Sequence, residues 1–74
     1  MDFSQYIEIK PDVRSGKPCL KGTRICVYDI FEYLAGGMTE QEILDDFPSL
    51  THKQMQMVYA FAAAREHRLA STAA

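Results

Sequence analysis

Two cysteines, Cys19 and Cys26, and two histidines, His52 and His67, carry the greatest capacity for metal or nucleophilic chemistry in this 74-residue chain. Four such donors would suit zinc, but the Cys19–Cys26 spacing is not that of a zinc knuckle. Cys26 also stands between Ile25 and Val27, where it reads as a small core residue. His52 and His67 fall at opposite ends of one helical stretch, too far apart to act together. No serine occupies a nucleophile motif, and Gly36-Gly37 lacks the preceding strand that a phosphate loop requires. Without a coherent set of acid, base and nucleophile, the sequence argues against an enzyme, and no metal or cofactor is expected.

Recognition chemistry is better represented. His52, Lys53 and Gln56 occupy the first turns of the last helix, the positions that a helix-turn-helix protein presents to the major groove. Glutamine can pair bidentately with adenine, and lysine can reach guanine or a phosphate. Lys21 and Arg24, in a basic N-terminal segment, could add phosphate contacts. The charge layout restricts where such contacts can fall. In residues 1–26, Lys10, Arg14, Lys17, Lys21 and Arg24 outnumber the acids by two. Residues 27–50 carry Asp29, Glu32, Glu40, Glu42, Asp45 and Asp46 with no base at all, while residues 51–74 return to a net excess of two cations. The middle of the chain repels phosphates and the two ends attract them.

These residues must be positioned by short elements. Tyr6 to Lys10 alternates as a strand ended by Pro11, and Cys19-Leu20 is placed to return as its hairpin partner after the turn Ser15-Gly16-Lys17-Pro18. Val27, Ile30, Phe31 and Leu34 then follow helical spacing, and Gly36-Gly37 stops that helix. Thr39-Glu40-Gln41-Glu42 and Thr51-His52-Lys53-Gln54 both read as capping boxes that start further helices, with Met38 placed to staple against Ile43. Between them, Phe47-Pro48-Ser49-Leu50 makes the tight turn. The expected fold is mainly α: a three-helix bundle with a helix-turn-helix, preceded by a short N-terminal β-hairpin. It forms one domain over residues 1–74. Residues 1–26 make the strand layer, 27–69 the helical unit and 70–74 a flexible tail.

The last helix carries two apolar stripes. Met55, Val58, Tyr59 and Ala62 form one, and Met57, Ala60, Phe61 and Ala64 form the other, roughly half a turn away. One stripe suffices to pack the bundle. The second requires cover from the N-terminal layer, a second subunit or a protein partner, so Met57, Ala60, Phe61 and Ala64 are the candidate interface and a homodimer is expected. No apolar run approaches the roughly 20 residues of a membrane span, so no membrane association is expected. The opening Met1-Asp2-Phe3 has no basic or apolar leader, and the expected compartment is the cytoplasm with reduced thiols.

The run from Gly16 to Val27, including Gly22-Thr23-Arg24, resembles the bacterial family called domain of unknown function 433. The likeness continues through Leu34-Ala35-Gly36-Gly37, Glu42-Ile43-Leu44, Phe47-Pro48 and Leu50-Thr51, covering most of residues 6–66. It implies a homeodomain-like helix-turn-helix fold and an antitoxin-like role: a cytoplasmic regulator that binds a PIN-type ribonuclease toxin and operator DNA as a dimer. It transfers no catalytic residue. Gly16, Pro18, Gly22 and Thr23 read as turn-forming positions, and Arg24 as a partner for Asp29 or Glu32. Few residues follow Arg68, which directs partner binding to the outer stripe of the last helix rather than to a tail. The rival reading is a protein-interaction or dimerisation module that keeps this fold without binding DNA, and the acidic middle of the chain favours it.

Overall fold

A computed structural model describes residues 2–73, with side chains described as far as His67. Two short strands, β1 (Ile7–Glu8) and β2 (Cys19–Leu20), pair antiparallel with Ile7 opposite Leu20 and Glu8 opposite Cys19. Three helices follow, α1 (Val27–Ala35), α2 (Glu40–Asp46) and α3 (His52–Ala73). The fold is mainly helical with an N-terminal hairpin, as the sequence pattern indicates. Strand β1 is shorter than the alternation from Tyr6 to Lys10, because Ile9 turns out to solvent at 61% exposure. Helix α3 continues to Ala73, past the end expected near Leu69. Ala74, and the side chains of the expected tail, lie outside the described residues.

Each helix end has a local cause. Thr39 Oγ1 accepts from the Glu42 N–H at 3.2 Å while Glu42 accepts from the Thr39 N–H at 3.0 Å, completing the first capping box. Thr51 and Gln54 repeat the reciprocal pair at 3.2 and 2.8 Å, so α3 begins where the sequence places it. Helix α1 ends in a Schellman motif. The Met38 N–H reaches the Tyr33 carbonyl, the Gly37 N–H reaches Leu34, and Gly37 adopts φ +102°, which only glycine takes at no steric cost.

The core lies where the hairpin, α1 and α2 meet α3. Ile7, Leu20, Ile30, Ile43, Leu50, Met55 and Val58 are buried there, and Tyr33 stacks on Phe47 with ring centroids 5.6 Å apart. Burying an aliphatic side chain of this size contributes about 1.5–3 kcal/mol, so this cluster is the main favourable contribution to folding. Met38 is partly buried and packs against this cluster, of which Ile43 is a member.

The N-terminal layer is pinned differently. Arg14 and Ser15 take φ +50° and +59°, and Gly16 follows at +79°, giving three successive left-handed residues at the tip of the β1–β2 connection. Such backbone is costly outside glycine and persists only when neighbouring contacts hold it. Arg14 supplies those contacts. Its guanidinium donates to both Asp29 carboxylate oxygens at 2.8 and 3.2 Å and to the Arg24 carbonyl at 2.9 Å. The partner of Asp29 is therefore Arg14, not Arg24, whose carbonyl rather than guanidinium enters the cluster.

Candidate interaction site

The polar cluster around Asp29 joins the N-terminal layer to the start of α1. Asp29 sits at the third position of α1 and also accepts from the Cys26 N–H at 3.0 Å, closing the helix start. Partial burial acts to raise the Asp29 carboxyl. The Arg14 pair, the Cys26 N–H and the nearby Lys17 charge outweigh it and hold the group below its ordinary range. The arrangement fixes Lys17 and Pro18 beside the first turn of α1.

An apolar groove opens next to that clamp. It encloses about 530 Å³ between Lys17 and Pro18 of the connection, Val27, Tyr28 and Phe31 of α1, and Phe61, Ala62, Arg65 and Glu66 of α3. Tyr28 is 56% exposed and Phe31 37%, two of the three large apolar side chains standing open on the described surface. Phe31 was expected in the core stripe of its helix. It lies instead at the groove wall, tilted against Tyr59 with centroids 6.2 Å apart. The Lys17 ammonium lies 5.1 Å from the centre of the Tyr28 ring, and the Arg65 guanidinium lies 5.6 Å from that of Phe61. Apolar walls with cations over the rings can take an aromatic or aliphatic side chain and an adjacent carboxylate from another chain.

The four residues expected to form the outward stripe of α3 do not form an exposed surface. Met57 is buried at 6%, while Ala60, Phe61 and Ala64 are half-buried. At Phe61 the cover comes from the chain's own N-terminal segment, which sets the Phe3 ring edge-on against it at 5.4 Å. Only Phe61 of the four also lines the groove. The open apolar surface thus sits on α1 beside that stripe, where helical periodicity assigned Phe31 to the core and left Tyr28 unassigned. The sequence signal available for it was Tyr28, an aromatic outside the core stripe, with Lys17-Pro18 as a rigid neighbour.

The residues expected to face DNA divide into two places. His52, Lys53 and Gln56 are exposed at the start of α3, and Lys21 and Arg24 are exposed on the turn between β2 and α1. The His52 ring is not free: its Nδ1 lies 2.5 Å from Glu40, the first residue of α2. The Tyr59 hydroxyl donates to the other Glu40 oxygen at 2.9 Å. The His52 contact lowers the Glu40 carboxyl most, burial opposes it, and the Tyr59 bond adds to the lowering. Burial and then Glu40 push the Tyr59 phenol up to about 12. Among the described residues, no three His, Cys, Asp or Glu side chains gather as a metal site, and no helix is long and apolar enough to cross a membrane.

Comparison with known proteins gives a consistent family. The profile of the family described as "Protein of unknown function (DUF433)" matches residues 7–62. An uncharacterised Sinorhizobium fredii protein, y4eO, is 30% identical over 64 residues, which is 86% of this chain and 29% of that protein. The crystal structure of a DUF433 member protein from Anabaena variabilis is similar in fold, with a TM-score of 0.77 at 24% identity. The similarity covers 89% of this chain and 65% of that one. The chain therefore spans less than a third of the first relative and about two thirds of the second.

Proposed function

This chain belongs to the DUF433 family, and from that premise we propose that it is a small antitoxin-type regulator that acts by holding a partner protein in the Tyr28–Phe31 groove. The observation that carries this reading is an exposed aromatic pair, Tyr28 and Phe31, side by side on the wall of an apolar groove, whereas the third large apolar side chain open among the described residues, Ile9, lies outside that groove. A small chain that closes its core yet leaves Tyr28 and Phe31 open offers them for contact. The partner implied by the family resemblance is a PIN-type ribonuclease toxin, neutralised by binding alone, so the chain is read as a non-enzymatic component. Dimerisation and cytoplasmic placement belong to the same reading.

The test is co-purification with, and inhibition of, a ribonuclease encoded beside its gene. Changing Tyr28 and Phe31 together to alanine should weaken binding roughly 30-fold or more, as loss of about 2 kcal/mol at an aromatic hot spot requires. Unchanged binding by that folded double variant, or the absence of such a nuclease, would remove the antitoxin reading.

A second reading, an interaction module that does not bind DNA, has its own support. Glu40 occupies His52, and Glu40, Glu42, Asp45 and Asp46 crowd α2 next to the start of α3, where DNA contact was expected. Its recurrence as under a third of the Sinorhizobium protein also suits a module. Operator binding through Lys53 and Gln56 predicts affinity that falls steeply with salt. No mobility shift of its own promoter at low salt would favour the module.

A further inference from the structure

The Cys19 and Cys26 thiols do not line the groove, although the Cys26 N–H belongs to the Asp29 cluster and the Cys19 thiol donates to the Lys17 carbonyl at 3.3 Å. Cys19 lies on β2, Cys26 immediately precedes α1, and the two face each other in an isolated antiparallel bridge. The Val27 N–H donates to the Pro18 carbonyl at 3.0 Å, and the Leu20 N–H donates to the Ile25 carbonyl at 2.9 Å. Those flanking bonds make the cysteines a non-hydrogen-bonded pair, the closer kind, in which Cα atoms generally stand about 4.5 Å apart. Their side chains share one face of the ladder, and the Sγ atoms stand 3.0 Å from each other. A disulfide needs a Cα separation of about 4.4–6.8 Å, a range that pairs of this kind meet. Both thiols are free.

From this geometry we propose that Cys19 and Cys26 are a redox modification site, forming a reversible disulfide across the β2–α1 turn. The oxidant is a low-molecular-weight disulfide of the glutathione type. One cysteine thiolate attacks a sulfur of that oxidant, a mixed disulfide forms, and one oxidant thiolate leaves. The second cysteine, as thiolate, then attacks the Sγ of the first and expels the other oxidant thiolate. Two electrons pass to the oxidant, and the two protons lost by the cysteines go to the two released thiolates.

Access sets the rate. Cys19 and Cys26 are 1% and 0% exposed, and burial, followed by the neighbouring thiol, pushes the Cys19 thiol up to about 11. Reaction therefore waits on opening of the turn at residues 21–24, where Lys21, Gly22 and Arg24 are exposed. Once formed, the bond ties the hairpin to the start of α1 independently of the Arg14–Asp29 pair.

The experiment equilibrates the full chain with oxidised glutathione, quenches with acid, then unfolds and alkylates it for mass spectrometry. Both alkyl adducts should be lost and the mass should fall by two hydrogens. The protein should remain monomolecular on a non-reducing gel, and dithiothreitol should restore both adducts. The midpoint of thermal unfolding should rise by roughly 10 °C, because the cross-link restricts the unfolded chain. Cys26→Ala, which cannot close the bond, should show no such rise. Two thiols still alkylated after equilibration would overturn the proposal, as would a mixed disulfide or a cross-linked dimer as the end product. Loss of helical circular dichroism on bond formation would also overturn it, since the geometry requires no rearrangement.

Discussion

The two halves of this molecule are held by different physics. From α1 onward, order comes from buried aliphatic side chains and from reciprocal caps made within four residues of each other. Before α1, only Ile7 and Leu20 of the two-residue strands enter the core, and the connections around them are held by polar contacts between distant residues. Arg14 reaches Asp29, and the Glu8 carboxylate accepts from the Gly22 N–H at 3.0 Å. The helical half should therefore melt as one unit, whereas the N-terminal layer can loosen locally at lower cost. The open aromatic pair lies at the seam, so the layer that loosens most readily is also one wall of the groove.

The sharpest way to break this contrast is from the helical side. Met55→Ala should cost about 2–5 kcal/mol in urea or thermal unfolding, because Met55 is fully buried in the shared core. Both halves should unfold together. Asp29→Ala should cost less, about 1.5 kcal/mol for losing hydrogen bonds to a charged partner. Its signature is regional: hydrogen exchange should accelerate at Arg14–Lys17 while the amides of Met55–Val58 remain protected. Equal acceleration in both places would show that the halves are one cooperative unit. Thr39→Ala should cost about 1 kcal/mol through the lost cap and leave exchange at Arg14–Lys17 unchanged.

Acid offers a milder probe. Asp29 and Glu40 both have carboxyls lowered by the fold. Their contribution is complete above the ordinary values of 3.8 and 4.5 and is lost as pH falls below them through the folded-state values. Arg14→Gln should flatten the Asp29 part of that loss in a urea titration against pH. The smallest expected effect is Tyr28→Ala on stability, within about 0.5 kcal/mol for an exposed side chain. A larger loss would mean that Tyr28 supports the fold rather than a partner.

Legibility followed the same division. Thr39, Thr51, Gly36 and Gly37 announce helix ends because capping is local in sequence, and the aliphatic spacing of α2 and α3 places their core residues. Arg14 could not be matched to Asp29 from sequence, since fifteen residues separate them and Arg24 was an equally charged and nearer choice. Phe31 fits the core period of its helix and still faces outward, because period fixes a face and not which neighbours cover it. The second stripe of α3 was legible as apolar, but its cover by Phe3 depends on how the chain start folds back.

Glu40 has a mechanical consequence. As the first residue of α2 it grips His52 at the start of α3 and Tyr59 two turns further along. Two attachment points on one rod fix its direction as well as its position. A load applied to α3 by any bound chain would thus be transmitted to α2, and the helix pair would swing as a single bracket.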